Sequence, residues 1–508
     1  MQIQDTLHEI DGLLAQYRPF GDSDYLQGQL EIRYKRRFET IAARLPVAGE
    51  LSRALDLADP RRRYRVIGDP VVRHTVQQAL RHIVKGTQDG LSLAECEDVF
   101  RETLVRLELG KHGGPTEPAV SDVARLGPEP CHGWIWSEER RHDAFGRSFR
   151  RVVQDNFQSE QIRSPRPTDL AKLAKGAALL AVVLPLCSRS ALGHAHVVVL
   201  FDGQKASCSD FRVGGAILMN REMLENPWWV AEHLLHEALH QKLYDFRHTH
   251  SLLARDLSRE LSASTQSPPT IGSIWNVETP DRSSQWDAFR AIAAFHVYVH
   301  VALFWLETER RTADLATQFD APAGSFPATT NRRQAFQRAQ YLGKRLKDSL
   351  WQELGPAGRL LVDWLISILD KIAPFPPPPE SYFIHLLLDR YVTEATLVVG
   401  KQPSPELSRE LLKLIHDEAE VIRDVLAATS ADRTDVDRLN EAVARHPDDS
   451  AGVAFLRFRT AVAGVVRALS PDGYALGTAS STGSAPLDER VRARIARSSE
   501  QLVEVLSR

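Results

Sequence analysis

Cysteine is scarce. Only four occur in 508 residues, Cys96, Cys131, Cys187 and Cys208, and no two form a Cys-x-x-Cys pair. That spacing offers neither a disulfide scaffold nor a thiolate zinc site. Charge of one sign is missing too: 63 basic against 66 acidic side chains leave a formal charge of −3. Neither a nucleic acid nor an anionic membrane is therefore expected as partner. The longest apolar run, GAALLAVVLPLC at 176–187, is well short of the ~20 residues that span a bilayer and contains Pro185. The opening stretch MQIQDTLHEIDGLLAQYRPFG carries acids early and lacks a basic start ahead of an apolar core. No secretory signal is expected, and a reducing cytoplasm is the default setting.

What remains is an ordinary globular composition, 43% hydrophobic and 25% charged, in a chain long enough for several buried cores. Residues 1–125 read as a helical region, with apolar positions three and four apart in YLQGQLEIRYKRRFETIAARL and DVFRETLVRLEL. Residues 126–372 read as a core carrying a small sheet and the helices of the candidate site. In that core GAALLAVVLPL, AHVVVLF and GGAILMN are short aliphatic runs that suit strands, and FDGQK suits a hairpin or tight connection. From Asn226, a capping residue followed by Pro227, the spacing predicts a helix to about Phe246. SQWDAFRAIAAFHVYVHVALFWLETERR predicts a long helix buried on nearly every side. The proline run at 373–381 predicts a linker. Residues 382–508 predict a C-terminal helical region with a flexible segment at 470–486. The expected fold class is mainly α with a small β-sheet next to the metal-binding helices (α+β), in several helical layers.

The chemistry lies in AEHLLHEALHQKLYDF, residues 231–246. His236, Glu237 and His240 form His-Glu-x-x-His, which on a helix sets two imidazoles one turn apart on one face with the carboxylate beside them. The surrounding Trp228, Trp229, Leu234, Leu235, Leu239 and Leu243 predict a buried helix, where unpaired imidazoles are costly. His233 shares the stripe but not the spacing and is expected to support or pack. Leu243 and Phe246 stand where a metzincin would have Gly and His, so a third ligand has to come from elsewhere. The long downstream helix offers His296, His300 four residues on, and Glu307 on the same side. His194 and His196 alternate along a presumed strand and form a weaker metal candidate. His248 and His250 read as a solvated helix end. The Gly-Gly of RVGGAIL has no following Lys-Ser/Thr and is not a phosphate loop.

Two chemistries fit three protein ligands with open positions: zinc-assisted peptide hydrolysis with Glu237 as base, and iron(II)-dependent oxidation with an oxoacid and dioxygen. LLHEALHQKL, the preceding GGAILMN, IWN at 274–276 and FHVYVHVALFW resemble the HExxH proteins encoded beside ribosomally made peptide natural products, described as iron- and 2-oxoglutarate-dependent peptide β-hydroxylases. The resemblance covers about residues 190–310. It implies His236 and His240 as iron ligands and His296 as the third, and a role for Glu237 in orienting a ligand, water or substrate. It also implies a precursor peptide as substrate, gripped by helical flanks, and an arginine for the distal carboxylate of 2-oxoglutarate. Arg282 and Arg290 are the candidates, with pairing to Asp287 the plainer account of Arg290. A zinc metallopeptidase is the alternative, and a metal-free helical peptide-binding protein the third.

Overall fold

The computed structural model describes residues 2–86, 90–109, 123–125, 132–137, 144–156, 161–203, 205–256, 267–277, 283–319, 330–373, 379–399, 404–427, 433–444, 449–469 and 489–507. It is mainly α with a small β-sheet, as the sequence predicts. In chain order come α1 (Gln2–Gln16), α2 (Ser23–Ala42), α3 (Pro46–Leu57), α4 (Pro60–Gly68), α5 (Pro70–Leu80) and α6 (Leu93–Glu108). A mixed stretch follows with β1 (Val123–Arg125), β2 (His132–Ile135), α7 (Ala144–Asn156) and β3 (Gln161–Arg163). Next are α8 (Pro167–Val183), α9 (Pro185–Leu192), β4 (Val197–Asp202), β5 (Ser207–Cys208), β6 (Ala216–Asn220) and α10 (Pro227–Thr249). Beyond them lie β7 (Ile271–Gly272), β8 (Gln285–Trp286), α11 (Ala288–Arg310), α12 (Thr312–Phe319), α13 (Arg332–Ser349) and α14 (Pro356–Ile372). The last helices are α15 (Pro379–Val399), α16 (Pro405–Ala427), α17 (Arg433–Val443), α18 (Ala451–Leu469) and α19 (Glu489–Ser507).

The chain forms two compact units that interleave in sequence. One comprises Met1–Leu261, His296–Arg332 and Leu354–Ile368, the other Ser262–Phe295, Arg333–Glu353 and Leu369–Arg508. The segments on either side of residue 125 thus share a unit up to Leu261. Residues 374–378 of the expected linker lie outside the described residues, and so does the whole of 470–486.

In the first unit the helix starts are written locally. Asp22, Asp59 and Asp69 accept from Tyr25, Arg62 and Val71 backbone N–H groups, and Ser92 with Glu95 makes a reciprocal capping box. Leu26, Leu30, Tyr34, Phe38 and Ile41 recur along α2 at helical spacing and are buried. The core that Leu30, Tyr34, Phe38 and Ile41 enter also takes side chains from α3, α5, α6, β4 and β6. The six-stranded sheet runs β1-β2-β4-β6-β5, with β3 also paired to β4. β2, β4 and β6 are mutually parallel, whereas β1, β3 and β5 pair antiparallel to their neighbours. Val197–Phe201 are buried without alternation, as a central strand covered on both faces requires.

Two expectations are corrected here. The run 176–187 forms the end of α8 and the start of α9, not a strand. Pro167 at the first helical position and the Asp169 carboxylate accepting from the Arg166 N–H start α8, and alanine and leucine sustain it. FDGQK is not a hairpin turn between β4 and β6, which run parallel in register from Val197–Ala216 to Phe201–Asn220. It leads instead to β5, on the far side of β6.

Helix α10 is the hub of this unit. Asn226 accepts from the Trp228 and Trp229 N–H groups and Pro227 opens the helix, as predicted. It packs on α8, α9, α2 and the β5–β6 edge. At the α8 crossing Gly176 is required, because a Cβ there would fall 2.3 Å from Val230 Cγ1. α11 is long and apolar enough to cross a membrane, yet 78% of its most apolar window is buried inside the protein.

The second unit has its own core, drawn from α15, α16, α18 and α19 through residues such as Tyr391, Leu411, Phe455, Phe458 and Leu502. Arg459 sits fully buried in it, donating to Glu394, Ser498 and the Tyr391 carbonyl and lying over the Tyr391 ring. Here also Trp275 meets Trp286 and Tyr341 edge-on, and the Tyr341 hydroxyl donates to the Gly272 carbonyl at 2.5 Å.

Candidate metal centre

One turn of α10 brings His236 and His240 together. Their Nε2 atoms are 3.2 Å apart, with the rings edge-on and centroids 4.9 Å apart. Neutral imidazoles at that distance either share one proton or direct two lone pairs at one cation. Nitrogens bound to zinc at 2.0–2.1 Å in a tetrahedron are themselves about 3.3 Å apart, so the pair has the bite of a metal chelate. Both rings are half-buried. Packing around His240 and the neighbouring His236 push its pKa well below the ordinary value, which keeps the ring neutral and fit to ligate. Its Nδ1 is buried without a hydrogen-bond partner.

The neighbours hold that face in place. His233 stacks on Trp229 at 4.3 Å and its Nδ1 donates to the Trp229 carbonyl at 3.0 Å. Burial lowers its pKa to about 3. It is a packed, neutral ring beside the pair. Glu237 is buried, with Oε1 accepting from Ser207 Oγ at 2.6 Å and Oε2 unpartnered. Ser207 belongs to β5, so the sheet edge orients the carboxylate. Glu232 was overlooked in the sequence, although 232, 236 and 240 are four apart and share one stripe. Its carboxylate accepts from Trp305 Nε1 at 2.8 Å and from the Thr330 hydroxyl and N–H at 2.7 and 3.1 Å. Burial raises its pKa, opposed by those donors and by the field of His236.

The downstream helix contributes less directly. His296 is buried and its pKa is lowered, first by burial and then by His300, Lys242 and His240. Its Nδ1 is unpartnered. His300 spends its Nδ1–H on the His296 carbonyl at 2.8 Å. Glu307 receives Nε and Nη2 of Arg310 at 2.9 and 2.6 Å. Among the described residues no three His, Cys, Asp or Glu side chains converge closely enough to hold a metal ion. The structure therefore assembles His236 with His240, and leaves His296 near but not within one donor set.

The remaining candidates are placed as follows. Arg290 is exposed, with its guanidinium over the Trp286 ring at 4.9 Å and its backbone N–H on Asp287 Oδ1 at 2.8 Å. Arg282 lies outside the described residues. His194 and His196 are both buried, but His194 is held by Asp245 and Ser23 while His196 packs on the Tyr64 ring in a tilted arrangement, centroids 5.0 Å apart. They share no cation site. His248 and His250 are not a solvated end: His248 stacks on Phe211 at 4.9 Å and is pushed to about 3 by burial, and His250 stacks on Phe246 at 4.4 Å. A basic cleft of about 460 Å³, lined by Arg37, Arg81, Lys85 and Arg212, also escaped the sequence reading, because its charges come from three separate stretches.

No protein-family model matches the chain, and no curated protein matches it.

Proposed function

We propose that the protein is an iron(II)- and 2-oxoglutarate-dependent oxygenase that hydroxylates a C–H bond, at the β-carbon of a residue in a ribosomally made precursor peptide, in the cytoplasm. The observation that carries the reading is the 3.2 Å approach of two imidazole nitrogens on a half-buried face. The choice of iron and oxoacid rests on the resemblance of the surrounding sequence. Bound there, iron(II) would supply activation of dioxygen coupled to decarboxylation of the oxoacid.

The residues have separable tasks in this reading. His236 and His240 hold the metal, with His296 assigned as the third donor. Glu232 and Trp305 fix the turn that carries His236. Glu237, tied to Ser207 through one oxygen, keeps the other available to orient water or a peptide N–H.

For the zinc-peptidase alternative, whose third ligand would be Glu307 or His296, the Glu307 carboxylate is already paired with Arg310. The deciding experiment is co-expression with the genomic neighbour peptide, read by mass. A gain of one oxygen, lost in His236→Ala and His240→Ala, supports the reading, whereas a cleavage product supports a peptidase. An unchanged peptide, with no stoichiometric metal bound after reconstitution, leaves the metal-free binding module.

A further inference from the structure

A second cluster of reactive groups lies in the same unit, away from the His-Glu-x-x-His residues, and ends on a cleft. Ser23, the first residue of α2, lines a cavity of about 460 Å³ together with Gln27, Arg61, Leu186, Arg189 and Ser190. Its Oγ is 3.0 Å from His194 Nε2, and His194 Nδ1 is 2.7 Å from Asp245 Oδ2. Arg73 pairs with Asp245 at 2.6 Å and the Tyr64 hydroxyl donates to it at 2.5 Å. Burial works against the charged form, but Arg73 and the hydrogen bond to His194 outweigh it and hold the carboxylate ionised, well below its usual range. An ionised carboxylate only accepts, so the proton of the neutral ring sits on Nδ1 and the Nε2 lone pair faces Ser23.

The Ser23 hydroxyl has three acceptors within reach. These are His194 Nε2, the Ser190 carbonyl at 2.8 Å and Ser190 Oγ at 2.8 Å. Of the three only the imidazole is a base. Ser190 is itself fixed, donating to the Gly21 carbonyl at 2.9 Å and accepting from Lys242 Nζ at 2.6 Å. A network serving stability alone would close among buried groups. In this one the carboxylate and imidazole are buried, while the hydroxyl at its end is half-buried in a cavity wall.

We propose that Ser23 is the nucleophile of an acyl-transfer site, with His194 as its general base and Asp245 as the orienting carboxylate, acting on a carboxylic ester or thioester held in the cavity. Ser23 Oγ adds to the acyl carbon while its proton passes to His194 Nε2. The bond from that carbon to the leaving oxygen or sulfur then breaks, and the leaving group departs with the proton. Water, deprotonated by the same imidazole, adds to the acyl carbon and displaces Ser23 Oγ, which regains its proton as a carboxylic acid is released. No electron transfer is involved. Arg61 and Arg189 line the cavity together with two acids, Asp22 and Asp24, and Ala15 and Leu186 offer an apolar wall to the acyl chain.

The site is tested on the full-length chain with a fluorophosphonate probe and with p-nitrophenyl acetate, in chelator so that any metal is absent. One adduct on the Ser23 peptide, absent in Ser23→Ala and formed at least about a hundredfold more slowly in a folded His194→Gln, is the expected result. No adduct on folded wild-type protein, an adduct on another residue, or an unchanged rate in His194→Gln overturns it. Should His194→Gln fail to fold, the Ser23→Ala comparison decides, since that change removes one half-buried hydroxyl. Labelling in chelator is independent of the oxygenase reading, so either proposal can fail alone.

Discussion

At the scale of single residues, the first unit holds several buried or half-buried imidazoles that packing keeps neutral. His233, His248 and His300 titrate near 3 and His74 near 4, each lowered chiefly by burial. In the unfolded chain the same rings bind protons near their ordinary value of about 6.5. Between about 3 and 6.5 the unfolded state therefore holds more protons than the folded one. Stability is full above that window and is lost as pH falls through it. Metal-free protein should melt at progressively lower temperature from pH 7 to pH 5 in calorimetry, and a flat profile would contradict the burial. The iron reading makes its own residue-scale prediction. His240→Ala should abolish the weak visible band formed anaerobically by iron(II) and 2-oxoglutarate, and Glu237→Gln should retain it.

At the scale of elements, two connections can be measured. Glu232 ties α10 to α11 and to Thr330, and Glu232→Ala leaves the Trp305 and Thr330 donors without their acceptor. The expected loss is about 1–3 kcal/mol by urea unfolding. Gly215 enters β6 at φ +95°, and a Cβ there would fall 2.2 Å from the Gly68 carbonyl oxygen. Gly215→Ala should cost more than about 2 kcal/mol in the same assay.

The legibility of these elements follows from their local signals. α10 could be read because Asn226-Pro227 is a complete start signal. β4 and β6 could be read because β-branched and aliphatic runs bounded by Gly and Asp suit covered strands. α8 was misread because an alanine–leucine run has no polar marks from which to tell a period of 3.6 from a period of 2. The imidazole pair was legible through its spacing of four. The anchoring of Glu237 by Ser207 was not, since it depends on where folding delivers a second side chain, whereas Glu307 and Arg310, three apart on one helix, could have been paired from their spacing.

At the scale of the whole chain, interleaving governs what can be removed. The second unit draws on Ser262–Phe295 and Arg333–Glu353 as well as everything from Leu369 onward. A chain cut at residue 373 would keep those two segments and lose the helices that complete their unit. Such a truncation should be more sensitive to limited proteolysis within 267–295 and 333–353 than the full-length protein, and equal resistance would argue against the division. The Ser23, His194 and Asp245 cluster was invisible in the sequence for a related reason. Its members are contributed by three distant stretches, and no short pattern joins them.

Helix α10 carries His236 and His240 on one stretch and, within its next two turns, Lys242 and Asp245. One rigid rod thus serves as the common ruler for two sets of polar groups. Any substitution that slides or rotates it, such as a bulky residue in place of Gly176 at its crossing with α8, would put both sets out of alignment together. Damage to the two would then travel as a pair, even though neither chemistry requires the other.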